Sequence, residues 1–194
     1  LKGQFLAYDK GFRGGIRVSA ADVNGDGLAE IITVPASNGG PHVKIFNRWG
    51  ERLGQFFAFD PSFRKSLDVA ATPADEFHGA SIVVAVGTGG GPQIRVFNTS
   101  GALQAQFFAF DEKFRGGVHI DVGEIKPNYD GYEIVAVPAG AGGAQIRTFS
   151  LDGTFAGDYT AFEPWWRGGY DIGAGTGALS ISTQASGRRA SAAL

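Results

Sequence analysis

The sequence predicts an all-β fold, a β-propeller or partial propeller of about four four-stranded blades with a repeat of 51–52 residues. Two recurring segments carry this prediction. An aromatic segment with an acidic end occurs at 4–9, 55–60, 106–111 and 158–163, and a glycine-led segment occurs at 39–46, 90–97 and 142–149. A period near 50 residues with four short strands in each period is typical of a propeller blade, whereas an ordinary β-sandwich does not explain the recurrence.

The elements follow in order along one repeat domain, placed at 1–183. The segment at 4–9 is predicted to be the fourth strand of a blade. Blades are then expected at about 12–60, 63–111 and 114–163, followed by a partial blade at 166–183 and a tail or weak strand at 184–194. In the first full blade, alternating or β-branched residues predict strands at 16–23, 30–35, 42–47 and 53–60.

Composition excludes several classes of protein. The 194 residues include 17 basic and 19 acidic side chains, so there is no positive excess to neutralise nucleic-acid phosphates. Hydrophobic residues make up 43% of the chain, which excludes intrinsic disorder, and no apolar run is long enough for a membrane helix. Because cysteine is absent, neither disulfides nor cysteine-ligated zinc is expected.

The loop between the first two predicted strands carries the clearest chemical signal. Oxygen-bearing side chains stand at its first, third, fifth and ninth positions: Asp22, Asn24, Asp26 and Glu30. The Leu28 carbonyl can add a backbone oxygen, and a set of oxygen donors on a flexible loop suits Ca²⁺. An EF-hand or dockerin loop starts in the same way but needs a helix after it, and residues 30–35 do not predict one. The alternative is an Asx-rich hairpin turn without a metal.

The period, the strand order and the loop DVNGDGLAEI resemble the FG-GAP (VCBS-like) repeats of integrin-type β-propellers, found in bacterial secreted or surface proteins. The resemblance covers about residues 3–175. It implies Ca²⁺ bound by Asp22, Asn24, Asp26, the Leu28 carbonyl and Glu30, the last standing where the family usually has Asp. The corresponding segments 72–81, 124–133 and 170–183 lack the alternating acids, so one site is implied.

A second recurring feature is an acidic side chain four residues before an arginine. The pairs are Asp9 and Arg13, Asp60 and Arg64, Asp111 and Arg115, and Glu163 and Arg167. Their constant spacing predicts a repeated structural ion pair or a loop clamp. In the first case the two side chains would meet, partly shielded by the neighbouring aromatic ring.

These observations predict a non-enzymatic, calcium-binding scaffold for binding or adhesion, located outside the cell or on its surface. The expected partners are a surface protein or glycan. We expect the open sheet edges to be covered by another copy of the chain or by further blades of a longer parent, because exposed edges invite aggregation. The competing arrangement joins the segment at 4–9 to the partial blade of the same chain and closes a four-bladed ring.

Three other functions remain open. A carbohydrate-binding propeller would use Trp165 and Trp166 as a stacking platform, although their repeat positions favour a structural role. A surface-layer or filament subunit would exchange strands between chains. A lyase or hydrolase on a propeller frame would need a cluster of His, Tyr, Arg and carboxylates, whereas His42, His78 and His119 fall at different places in their repeats.

Overall fold

The computed structural model describes residues 3–74, 79–126, 131–160, 167–175, 178–183 and 189–193. The predicted all-β class is confirmed, since these residues form fifteen strands in four antiparallel sheets. Within the same residues there is no helix long and apolar enough to span a membrane.

The strands of each sheet lie side by side in chain order. The first sheet contains β1 (Ile16–Ala21), β2 (Glu30–Pro35), β3 (His42–Phe46) and β4 (Arg52–Phe57). The second contains β5 (Leu67–Ala71), β6 (Ile82–Val86), β7 (Gln93–Phe97) and β8 (Leu103–Phe108). The third contains β9 (Val118–Gly123), β10 (Glu133–Pro138), β11 (Gln145–Ser150) and β12 (Phe155–Thr160). The fourth contains β13 (Tyr170–Gly175), β14 (Ala178–Thr183) and β15 (Arg189–Ala193).

The third strand of each full sheet ends in a tight turn, closed by a backbone hydrogen bond from Gly50, Gly101 or Gly153. After β3, the Asn47 side-chain oxygen accepts hydrogen bonds from the backbone N–H groups of Trp49 and Glu51 and holds a tight turn. The turn needs a positive φ at Gly50, which glycine adopts without strain. Gly101 and Gly153 supply the same conformation in the second and third sheets.

The sheets pack face to face in sequence order. We call the face that meets the preceding sheet the leading face and the opposite one the trailing face. On the second sheet, Leu67 and Val69 belong to the leading face and pack in a cluster with the first sheet, while Ala70 and Val83 belong to the trailing face and pack with the third. A third cluster joins the third sheet to the fourth through Tyr170 and its neighbours. Alternate residues of a strand therefore pack against the preceding sheet and the following sheet.

Two expectations about the chain ends have different outcomes. The predicted strand at 4–9 is wrong: residues 3–9 carry no strand, because no neighbouring strand lies beside them to form a ladder. Residues 189–193, in the predicted tail or weak strand, form β15 and pair with β14. Among the described residues, no hydrophobic cluster joins the fourth sheet to the first.

Candidate functional site

The loop between β1 and β2 is wound around the carboxylate of Asp22. Its Oδ1 accepts hydrogen bonds from the backbone N–H groups of Gly25 (2.7 Å) and Asp26 (3.2 Å), and its Oδ2 accepts one from Gly27 (2.7 Å). Desolvation opposes ionisation of Asp22, but these N–H groups outweigh it and hold the pKa of the carboxyl below its usual value. Asp22 is therefore ionised at neutral pH.

Two further side chains of the loop make shorter turns of the same kind. Asn24 Oδ1 accepts a hydrogen bond from the Asp26 N–H at 2.9 Å, and Asp26 Oδ1 accepts one from the Leu28 N–H at 2.8 Å. Gly25 and Gly27 both have positive φ, so the chain reverses direction between successive oxygen-bearing residues. The loop thus gathers its oxygen donors within a few residues.

Glu30 differs from the other loop acids because it is buried. It opens β2, only 2% of its surface is exposed, and its Oε2 accepts a hydrogen bond from the Val23 N–H at 3.1 Å. Burial raises the pKa of Glu30, and the negative charges of Asp26 and Asp22 raise it further. An ionised Glu30 is therefore electrostatically unfavourable beside these two acids.

The five predicted ligands lie on one short loop and are oxygen donors, the type that Ca²⁺ prefers. Their described contacts, however, are with backbone N–H groups of the loop. Among the described residues, no group of three Asp, Glu, His or Cys side chains is arranged to hold a metal ion. The donor set fits Ca²⁺ by chemistry. Because the side-chain oxygens bond backbone N–H groups instead of converging on one point, calcium binding would require them to rotate toward a common centre.

In the second and third sheets, the residue equivalent to Glu30 is either uncharged or paired with a cation. Glu133 opens β10 as Glu30 opens β2, and its Oε2 accepts the Lys126 N–H at 3.2 Å, matching the bond from Val23. Here the Lys126 ammonium lies 3.1 Å from Glu133 Oε1 and supplies the positive charge. In the second sheet the position is neutral, because Ser81 stands there and its N–H donates to Thr72 Oγ1. Among the described residues of these loops, Glu30 has neither a neighbouring cation nor a neutral replacement.

The predicted acid–arginine ion pairs are wrong wherever the structure describes them. Asp9, Asp60 and Asp111 accept hydrogen bonds from the backbone N–H groups two residues later, those of Gly11, Ser62 and Lys113. Arg13, Arg64 and Arg115 each donate through Nη1 to two backbone carbonyls of the same turn. The pair clamps the turn without joining, because both side chains reach nearer backbone partners first. Glu163 lies outside the described residues, so the fourth pair stays a prediction.

A polar cavity of about 380 Å³ opens where the first strands of all four sheets meet. Its charged and ionisable lining comprises Arg17, Asp68, His119, Asp121 and Asp171. We call it the axial cavity. His119 Nδ1 lies 2.8 Å from Asp68 Oδ2, and the Ile120 N–H donates to the same oxygen at 3.1 Å. This buried pair connects the second sheet to the third.

The sequence contains a signal for the axial cavity in the alignment of its repeats with one another. Arg17, Asp68, His119 and Asp171 occupy the second position of the first strand in their repeats, with apolar residues on both sides. Asp121 lies two residues beyond His119 and thus on the same face. Its pKa is raised, chiefly by burial and further by the charge of Asp68, against hydrogen bonds from the Ala174 and Val122 N–H groups. His78, Trp165 and Trp166 lie outside the described residues.

Comparisons with known proteins do not assign the chain to a family. No protein-family model matches it, and no curated protein matches it. Among solved structures, the chain is similar to a protein of unknown function from Bacteroides caccae, with 12% identity and a TM-score of 0.43. The similarity covers 91% of this chain, which spans 60% of that protein's length. The FG-GAP resemblance therefore stays a prediction.

Proposed function

We propose that this chain is a non-enzymatic, calcium-binding scaffold of the β-propeller type, which acts in binding or adhesion at a cell surface or outside the cell. The observation that carries the proposal is the contrast between two buried glutamates. Glu133 has the ammonium of Lys126 beside it, whereas the equivalent Glu30 has Asp22 and Asp26. A divalent cation in the first loop would place a positive charge beside the Glu30 carboxylate, as Lys126 does beside that of Glu133.

Electrostatics favours this proposal over a metal-free turn. A buried carboxylate is retained in a fold when a positive charge or hydrogen bonds compensate for its lost hydration. Hydrogen bonds from the Val23 and Asn24 N–H groups lower the pKa of Glu30, but burial, together with the charges of Asp26 and Asp22, raises it by more. Ca²⁺ would change the sign of that interaction and would accept oxygen donors in an irregular arrangement.

The propeller part of the proposal rests on how the sheets meet. The first strands β1, β5, β9 and β13 contact one another in succession, and all four line the axial cavity. Sheets that radiate from their first strands around a central cavity are typical of a propeller. The proposed cell-surface location rests on the FG-GAP resemblance and on the weak calcium affinity expected of a single loop built from turns. Extracellular calcium modules bind with such affinities, near 10⁻⁴ to 10⁻³ M.

A calcium titration of the whole chain tests the proposal. At a calcium concentration about 100 times the Kd, binding to the folded state alone adds about 2.7 kcal/mol of stability. We expect the melting temperature to rise in millimolar Ca²⁺ relative to chelator, and the rise to disappear in Asp26→Ala and Glu30→Gln. Asp152→Ala is the matched control, because Asp152 also caps an exposed turn but lies outside the loop. Equal melting curves with and without calcium, together with no binding heat, would refute the proposal.

The axial cavity favours a second candidate, the binding of a small cationic ligand. Three aspartates and one arginine line this cavity, so its charge attracts a cation. In a lyase or hydrolase, the His119–Asp68 pair could transfer a proton. Calorimetry with glucosamine, and with glucose as the neutral control, tests this candidate. Binding of glucosamine that is weakened in Asp171→Asn supports it, and equal behaviour of the two sugars contradicts it.

A further inference from the structure

The axial cavity has a positive side and a negative side. Arg17 lines it from β1, and Asp121 lines it from β9. The first strands contact one another in the order β1, β5, β9 and β13, so β5 separates the strand that carries Arg17 from the strand that carries Asp121. Two opposite charges therefore face the same cavity from different strands.

The positive side of the cavity has no anionic partner in the described part of the chain. Arg17, Asp68 and His119 occupy the same position in successive first strands. Asp68 Oδ2 lies 2.8 Å from His119 Nδ1 and accepts the Ile120 N–H, while Asp68 Oδ1 accepts the Val69 N–H. Because the Asp68 oxygens are occupied in this way, Asp68 does not pair with Arg17. No hydrogen bond or ion pair links the Arg17 guanidinium to a described residue.

The negative side of the cavity has no cationic partner. Asp121 Oδ1 accepts the Val122 N–H at 2.9 Å, and Asp121 Oδ2 accepts the Ala174 N–H at 2.7 Å. Both donors belong to the backbone, and no ion pair joins Asp121 to a described lysine, arginine or histidine. Burial, with the charge of Asp68, raises the pKa of Asp121, so a cation beside this carboxylate would compensate for its lost hydration.

These two unpaired charges favour a ligand that carries both signs. Arg17 and Asp121 are each half-buried, and a charge withdrawn from water is stabilised by a partner of opposite charge. The planar guanidinium of an arginine matches a carboxylate in shape, and a carboxylate pairs equally well with an ammonium group. The cavity volume of about 380 Å³ lies within the range of small-molecule sites, roughly 300 to 1,000 Å³.

We propose that the axial cavity binds a small zwitterion of the amino-acid class, with the ligand's carboxylate at Arg17 and an ammonium group at Asp121. The proposal rests on the second candidate function, cation binding in this cavity, and adds the anionic half of the ligand. A purely cationic ligand would leave Arg17 without a partner. A purely anionic ligand would be repelled, because three aspartates line the cavity and one arginine opposes them.

Calorimetry with lysine and with two molecules derived from it tests the proposal. Lysine carries ammonium groups at two distances from its carboxylate, so it does not presuppose the separation of the two sides of the cavity. Cadaverine is lysine without the carboxylate, and hexanoate is lysine without both amino groups. We expect lysine to bind about tenfold more tightly than cadaverine, or better, and hexanoate not to bind. Net charge alone predicts the opposite order, because cadaverine is the more positive of the two amines.

Substitutions separate the two halves of the ligand. Arg17→Gln should abolish the preference for lysine over cadaverine while cadaverine still binds. Because the Arg17 guanidinium has no described partner, this variant should keep its melting temperature. Arg52→Gln is the matched control, since Arg52 is an exposed arginine of the same sheet that does not line the cavity, and it should keep the full preference. Asp121→Asn keeps an oxygen for the Ala174 N–H but should weaken the binding of both amines.

Two sets of results would overturn the proposal. If cadaverine binds as tightly as lysine, or if the preference for lysine persists in Arg17→Gln, the ligand's carboxylate is not recognised by Arg17; the cation candidate would then stand without the zwitterion. If lysine, cadaverine and glucosamine all fail to bind, the cation candidate is rejected as well. Every titration is made in the presence of chelator, so the calcium proposal is tested separately.

Discussion

Replacing Lys126 with Met should leave the carboxylate of Glu133 buried without a positive partner. The two charged groups lie 3.1 Å apart, and only 1% of the Glu133 side chain is exposed. At an effective dielectric constant near 20, charges at this separation attract each other by about 5 kcal/mol before desolvation is considered. Methionine preserves the length and much of the volume of the lysine side chain, so the change removes the charge and the hydrogen bond from the ammonium to the Ala156 carbonyl.

The net cost is smaller than that attraction. Removing one partner of a fully buried ion pair costs about 3–5 kcal/mol, but Lys126 is 36% exposed, so water can replace part of its contribution. We therefore expect Lys126→Met to lower the free energy of unfolding by about 2–3 kcal/mol. The backbone hydrogen bond from Lys126 to Glu133 remains available in the variant.

Urea denaturation at pH 7 measures this change, and Glu133→Gln supplies the control. The double variant carries no buried charge at this position, so it should recover most of the stability that Lys126→Met loses. If Lys126→Met costs less than about 0.5 kcal/mol, or if the double variant is as unstable as the single one, the buried glutamate does not need a cation. The same reasoning for Glu30 would then also fail.

Two other predictions concern a turn of the third sheet and the axial cavity. Gly116→Ala should destabilise the chain by more than about 2 kcal/mol, because a Cβ atom there overlaps the Gly140 carbonyl oxygen and the Phe114 ring. Gly143→Ala is the control: a Cβ atom there meets open space, so this variant should be neutral in the same thermal melt. Asp121→Asn should make the chain more stable at pH 7, because burial and the charge of Asp68 raise the pKa of Asp121. A raised carboxyl pKa makes stability fall as pH rises above the ordinary value of 3.8, so melts of the two proteins should converge below that pH; a constant difference would contradict this explanation.

The repeat was predictable because each period must make the same contacts. Phe56 and Phe107 recur at one spacing and pack on Phe97 and Phe149 in equivalent ways, so the sequence period became the sheet period. The strand at 4–9 was mispredicted from the same regularity. A strand motif specifies which residues can form a ladder, but the ladder also needs a neighbouring strand, and the sequence of one segment does not supply it.

The side-chain chemistry was harder to predict because it depends on short distances. Constant spacing correctly linked Asp60 and Arg64 to one turn, yet the Asp60 side chain bonds Ser62 and Arg64 bonds backbone carbonyls. The axial cavity was missed for a different reason. Its lining comes from four repeats, one polar residue at a time, so no local motif marks it. Only an alignment of the repeats against each other brings those positions together.

The sheets are linked in series, and this arrangement has a mechanical consequence. Each hydrophobic cluster joins one sheet to the next, so the described residues of the first sheet share no core with those of the third. A force applied to the two ends of the chain would therefore load one interface after another instead of a single shared core. Each released repeat of 51–52 residues would supply about 170–190 Å of extended chain at roughly 3.3–3.6 Å per residue. Such a chain yields to tension in equal steps and absorbs work at each of them.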